Sequence, residues 1–333
     1  MHRVAGGSYN DLIDGFEVYA DLLLEHKALG FEDPLYLTPE QHGKVLLRLF
    51  DFDLCRNVYS TRGASIWTDN TYENLSPAGR LTEDKDPLDC MKSNWHADCV
   101  EYKRPVSYLS MSMLEYDCPE GQGDTVLVNL EDLYEKCPYK EYLEDLNLAH
   151  PAKGGVQIDE SIEAQIHPAL RTHPVTGKTS LCISDSRMLP IGASKDALGS
   201  GWGAGLDPAA GIEGYGYMGS DEQPEFVEYM QWIHDQINDP ENQQWFRWEE
   251  GNFLIWDNRC NLHSFSGWMG PRSFNRGLVG MDAVWYGGKR KIDIMEEENA
   301  FEVDEKDEIH FHSMSSPEDL AESRTKPGGG YED

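Results

Sequence analysis

Asn94-Trp95-His96-Ala97-Asp98, answered much later by Gly251 to His263 (GNFLIWDNRCNLH), is the pairing that decides how this chain folds. His-x-Asp joined by one distant His is the two-histidine, one-carboxylate set that holds non-haem Fe(II) and leaves coordination positions open. His96 and Asp98 are two residues apart, so on an extended strand both side chains leave the same face and can meet one metal ion. His263 follows His96 by 263 − 96 = 167 residues, so only a folded barrel can bring it close. Alone, His-x-Asp is a weak signal, because any exposed strand can produce it.

Its company strengthens it. Past His263 comes Pro271-Arg272-Ser273-Phe274-Asn275-Arg276, and arginine is the planar, permanently charged residue suited to gripping a carboxylate with two prongs. Well before it stands Gly123-Asp124-Thr125, at a strand entrance where a hydroxyl can share that carboxylate. A metal with open positions, an arginine and a threonine for a distant carboxylate are what 2-oxoglutarate needs. The chain resembles the taurine dioxygenase-like (TauD/TfdA) family of Fe(II)/2-oxoglutarate oxygenases. The resemblance rests on Leu37-Thr38-Pro39-Glu40-Gln41-His42, Asn94 to Asp98, Gly123-Asp124-Thr125, HPALRTHPVTG from His167 to Gly177, Gly251 to His263 and Arg272-x-x-x-Arg276. These six blocks keep the family's order over roughly residues 10 to 285.

The resemblance implies a mostly β, α+β fold: a double-stranded β-helix (jelly-roll) core with flanking helices, which brings residues remote in sequence onto one inner face. It implies Fe(II) on His96, Asp98 and His263, with 2-oxoglutarate and O2 as cosubstrates and the far carboxylate of 2-oxoglutarate on Arg272 and Thr125. The arginine matching Arg276 grips the substrate's anionic group, and Lys92 falls at another position near the substrate. Trp67 and Tyr72 are candidates for an apolar wall. The expected reaction oxidises an aliphatic C–H of a small anionic substrate, a carboxylate or sulfonate of amino-acid-like form, and releases succinate and CO2. An alternative is oxidative ring closure of an N-alkylated acidic amino acid, as in kainoid-type natural products. A zinc hydrolase could use the same three ligands but would have no need of Thr125 and Arg272. A non-catalytic binding protein on the same fold is disfavoured by the intact ligand set.

Composition sets outer limits. The 333 residues carry 60 acidic against 28 basic side chains, a net charge of −32, which argues against a nucleic-acid partner, whose phosphates need a basic surface. No run of 18 apolar residues is present, so no membrane span is expected. Met1 to Tyr9 has no apolar signal core, which points to a cytoplasmic protein. Assembly as a homo-oligomer is compatible with all of this. Seven scattered cysteines without a C-x-x-C pair suit reduced thiols better than a disulfide framework, and Cys99 and Cys260 read as small packing residues beside the metal.

Periodicity predicts an amphipathic helix over 10–26, a short strand at Pro34 to Leu37 and a helix opening at Thr38-Pro39-Glu40-Gln41. Strands are expected at Val106 to Tyr116, Thr125 to Leu130, Ser180 to Ser184, within Phe246 to Trp256, and at Arg276 to Trp285, with a helix from Glu225 to Ile237 on the barrel's outside. Residues 55–92 and the glycine-rich 192–219 read as lid-type loops. One oxygenase domain is expected over 1–288, followed by a poorly ordered acidic tail over 289–333 whose His310 and His312 bind nothing.

Overall fold

The structure, a computed structural model, describes residues 1–52, 54–55, 63–70, 86–100, 105–150, 165–183, 189–190, 224–280, 285–286, 289–290 and 308–313. Tyr72 and the expected lid over 192–219 lie outside these residues.

Seven strands make the larger sheet, in the order β1 (His2–Val4), β2 (Ala28–Phe31), β12 (Phe253–Asp257), β4 (Tyr108–Tyr116), β14 (Arg272–Val279), β3 (Gly63–Asn70) and β17 (Glu308–Ser313). A second sheet has β5 (Thr125–Asn129) between β11 (Gln243–Phe246) and β13 (Asn261–Phe265), both antiparallel to it. Smaller groups are β10 (Leu189–Pro190), β6 (Asn147–His150) and β7 (Gln165–Pro168); β8 (Leu170–Thr172) with β9 (Thr179–Leu181); and β15 (Trp285–Tyr286) with β16 (Lys289–Arg290).

Alternation along each strand decides what the two main sheets enclose. Leu109, Met111 and Met113 of β4, Leu254 and Trp256 of β12, Phe274 and Leu278 of β14, Leu127 of β5 and Phe246 of β11 form one buried cluster, so the sheets pack face to face through it. The intervening residues point outward. Tyr108, Phe253 and Ile255 meet α1 (Tyr9–Asp14), α2 (Phe16–His26) and α3 (Pro39–Asp51). Val126 and Val128 meet α5 (Leu130–Lys136), α6 (Lys140–Glu144) and α7 (Pro224–Asn238), the last through Phe226, Tyr229, Ile233 and Ile237. Among the described residues no helix is long and apolar enough to cross a membrane.

α3 starts where its sequence says. The Thr38 side chain accepts from the Gln41 N–H, the Gln41 side chain returns a bond to the Thr38 backbone, and Pro39 takes the first turn, where no N–H is needed. The single helix expected over 10–26 is two, because Gly15 ends α1 and Ser8 with Asp11 caps that helix separately. Pro34 to Leu37 is not a strand. Tyr36 turns into the left-handed region at φ 46°, and the strand is β2, just upstream.

Two further stretches carry regular structure. Within 55–92, Gly63–Asn70 is a strand and Pro87–Ser93 is a helix, α4, opened by the Asp86 side chain with proline at its start. Within 289–333, Glu308–Ser313 is not a loose tail but runs parallel to β3 as the outermost strand. Ile309 docks on α3 at Gly43, where a Cβ would lie 2.6 Å from Ile309 Cγ2.

Candidate active site

α4 delivers the chain to His96 at the mouth between the sheets, and β13 delivers His263 opposite Leu127 on the inner face. The two histidines are tied backbone to backbone: each N–H donates to the other's carbonyl at 2.8 Å, an isolated antiparallel bridge. Their rings stand 4.1 Å apart between centroids, tilted by 48°. His96 Nδ1 lies 2.6 Å from the Asn94 carbonyl, which can only accept, so Nδ1 carries the proton and Nε2 keeps its lone pair. That Nε2 is 3.8 Å from Asp98 Oδ1, and His263 Nε2 is 3.6 Å from Asp98 Oδ2.

Asp98 is not on the extended strand that the spacing suggests. It enters a turn whose next residue, the buried Cys99, adopts a left-handed φ of 60°. Its placement comes from across the barrel: Asn258 Oδ1 accepts from the Asp98 N–H at 3.2 Å, and Asn258 Nδ2 donates to the Asp98 carbonyl at 2.8 Å and to Val106 at 3.2 Å. Trp256 packs its ring 5.1 Å from that of His263. Two imidazole nitrogens and a carboxylate, with ligand atoms all within 4.8 Å of one another, fit a divalent transition metal by donor type and spacing.

Behind the ligands lies a buried polar layer. Asp257 accepts from Arg259 Nε at 2.8 Å and from His173 Nε2 at 2.8 Å, while Arg259 also donates to the Tyr108 hydroxyl at 2.7 Å and the Leu54 carbonyl at 3.0 Å. Burial pushes the Asp257 carboxyl up, but the Arg259 guanidinium, with His173 beside it, holds it well below the ordinary carboxylate range. Glu131, His173 and Cys260 also bring ligand-type atoms within 4.8 Å. They do not suit a metal: His173 Nδ1 already accepts from the Val175 and Thr176 N–H groups, its Nε2 serves Asp257, and the buried Lys27 ammonium sits 3.1 Å from Glu131. Burial also pushes the Cys260 thiol far up.

Around Arg272 the inner face is built from aromatic rings. Two residues of β4 oppose one step of β14 between Ser273 and Phe274, and on β14 itself Arg272, Phe274 and Arg276 keep one face. The Arg272 guanidinium carbon lies 4.9 Å from the Trp268 ring centre and 5.1 Å from that of Phe274, and the residue is only 4% exposed. Gly123, at φ +71°, turns the chain beside them, where a Cβ would lie 3.4 Å from Trp268 Cβ and 3.5 Å from Arg272 Cδ. Two residues on, the buried Thr125 hydroxyl accepts from the indole N–H of Trp248 at 3.0 Å. The Trp248 backbone N–H reaches Asp124 Oδ1 at 3.3 Å, and burial raises that carboxyl's pKa above its usual value.

Of the substrate candidates, Arg276 stands directly opposite Trp67 on β3 and Met111 on β4, so arginine and indole share the inner face. Lys92 stands on α4. In the last turn of α4 it is exposed, and its ammonium lies 3.5 Å from Asp89 one turn earlier. Sequence reasoning passed over Trp248, which no motif marks, and Asn258, which lies inside the quoted WDNR.

The chain belongs to the family described as "Taurine catabolism dioxygenase TauD, TfdA family", which matches residues 3–278. It is an Fe(II)/2-oxoglutarate-dependent dioxygenase, a class whose members use Fe(II), 2-oxoglutarate and O2. It is 26% identical over 265 residues to an alkylsulfatase of Acinetobacter baylyi, covering 73% of this chain and 69% of that protein. It is 23% identical over 181 residues to an alpha-ketoglutarate-dependent sulfonate dioxygenase of Saccharomyces cerevisiae, covering 51% of this chain but 37% of the relative. Its fold is similar to the crystal structure of a taurine dioxygenase from Burkholderia xenovorans, with a TM-score of 0.54 at 20% identity over 87% of this chain and 91% of that one.

Proposed function

We propose that this protein, on a double-stranded β-helix core, oxidises an aliphatic C–H bond of a small molecule carrying one oxyanion head, a sulfonate or a carboxylate of amino-acid-like form. The observation that carries the reading is Arg276 set against Trp67 on the inner face of the sheet that also holds Arg272. His96, Asp98 and His263 would hold the iron, which supplies when bound the one-electron and O2 chemistry that side chains lack. Arg272, stiffened between Trp268 and Phe274, takes the far carboxylate of 2-oxoglutarate, with Thr125 donating to the same group. Arg276 takes the substrate's head, and the flat face of Trp67 supports its alkyl part. The buried Trp256, Trp268 and Phe274 keep water from the reacting carbon. With Lys92 turned to solvent and engaged by Asp89, a single anionic group fits better than two. The names of the alkylsulfatase and sulfonate dioxygenase relatives point the same way.

The test is substrate-stimulated succinate release across alkylsulfonates, alkyl sulfates, acidic amino-acid derivatives and neutral or cationic analogues. Anionic alkyl compounds should stimulate, and Arg276→Ala should raise their KM without altering the KM for 2-oxoglutarate. Stimulation by neutral or cationic compounds alone, with Arg276→Ala indifferent, would overturn the reading.

A further inference from the structure

We infer that Trp248 is a positioning residue for the cosubstrate: its indole N–H fixes the direction in which the Thr125 hydroxyl donates. The inference rests on the reading above that Thr125 and Arg272 share the far carboxylate of 2-oxoglutarate. A threonine hydroxyl has one proton to give and two lone pairs to receive, whereas an indole nitrogen only donates. At 3.0 Å the Trp248–Thr125 contact can therefore run one way, and it occupies a lone pair of Thr125 Oγ1. The hydroxyl proton must then be spent elsewhere. Thr125 and Leu127 alternate with the outward Val126 and Val128, so Thr125 presents its hydroxyl to the inner face.

Trp248 is itself held on three sides. Its backbone N–H reaches Asp124, its ring stands edge-on to Phe246 at 4.7 Å, and it is 2% exposed. A rigid donor behind a rotatable hydroxyl removes the rotamer that would aim its proton back at the indole. It also polarises the O–H that is left, since successive hydrogen bonds strengthen one another. Residues 123–125 and 248 thus act as a unit: Gly123 makes the left-handed turn against the Arg272 stem, and Trp248 sets the neutral donor two residues on.

The experiment measures 2-oxoglutarate binding to Mn(II)-loaded protein by calorimetry, alongside KM and kcat of the Fe(II) enzyme. Trp248→Phe keeps an aromatic ring and loses the N–H; incorporation of 3-benzothienylalanine at 248 keeps both rings and replaces only the N–H by sulfur, so a fold defect in the first does not blunt the second. Either change should weaken 2-oxoglutarate about tenfold, the scale of one hydrogen bond to a charged group, with kcat at saturation changed less than about twofold. Combined with Thr125→Val, neither should add further loss, because both act through one hydroxyl. Affinity equal to wild type, or losses that simply add, would overturn the role of Trp248. If Thr125→Val and Arg272→Ala also bound 2-oxoglutarate as wild type does, the cosubstrate site itself would be misassigned, a distinguishable failure.

Discussion

The proposed metal and cosubstrate ends of the site are held by different means. At the metal end the residues are held by their peptide groups: His96 and His263 bond to each other backbone to backbone, and the Asn258 side chain bonds both peptide groups of Asp98. At the cosubstrate end side chains hold side chains, with Arg272 between two rings and Thr125 against an indole. The difference suits the tasks. A metal tolerates a ligand error of only a few tenths of an ångström, and peptide groups are the least mobile donors available. A flexible organic anion is met by a charge whose own freedom has been limited by packing, which reduces the entropy lost on binding.

If the two ends are separable, mutations should damage one without the other. Asp98→Ala removes one of the three proposed ligands and should abolish turnover and lower Mn(II) affinity sharply, with the far-UV circular dichroism of a folded chain. Asp257→Ala strikes the frame behind the ligands. It leaves the buried Arg259 and His173 without their carboxylate, and should cost about 3–5 kcal/mol of unfolding free energy, read by denaturant titration. Arg272→Ala should cost on the order of 2–5 kcal/mol in 2-oxoglutarate binding while the Mn(II) dissociation constant stays put. Asn258→Ala should give the mirror image, about a 10–100-fold loss of metal affinity with 2-oxoglutarate affinity of the metal-saturated protein little changed. A joint loss at both ends in either variant would show that the division is wrong.

The smallest effect tests whether both ends share one frame. His42, fully buried on α3 and 2.6 Å from Ser110 of β4, has its pKa lowered to about 3 by burial. The unfolded chain takes up this proton near pH 6.5 and the folded one does not. The stability from this group is therefore complete above that pH and is lost as pH falls toward 3. Between pH 7 and 5.5 the loss is about 1 kcal/mol, and unfolding curves of His42→Gln should lack that increment.

How much of this is legible in the sequence varies with range. α3 can be read because its start is local chemistry, a cap and a proline within four residues. α4 carried the same signal in Asp86-Pro87 but is only seven residues long, too short for periodicity to speak. The three ligands could be grouped through family order, yet the spacing argument for Asp98 used the wrong geometry: a left-handed turn and a distant asparagine do what a strand was expected to do. Trp248 could not be found at all, since its partner stands 123 residues away and tryptophan before two glutamates signals nothing. Lys92 was placed near the substrate by its position before His96, which carries no information on the pairing with Asp89 one helical turn back.

The parallel strand Glu308–Ser313 has a consequence for the chain's solution behaviour. It pairs along one flank of Gly63–Asn70 from Gly63 to Thr68, a stretch that includes Ala64, Ile66 and Trp67. Ending the polypeptide at residue 288 would strip that flank and leave a ready template for pairing with another chain. The same cut would empty the notch over Gly43 that Ile309 fills. Glu308–Ser313 thus moves the edge of the sheet from Gly63–Asn70 to a strand that carries Glu308, His310 and His312.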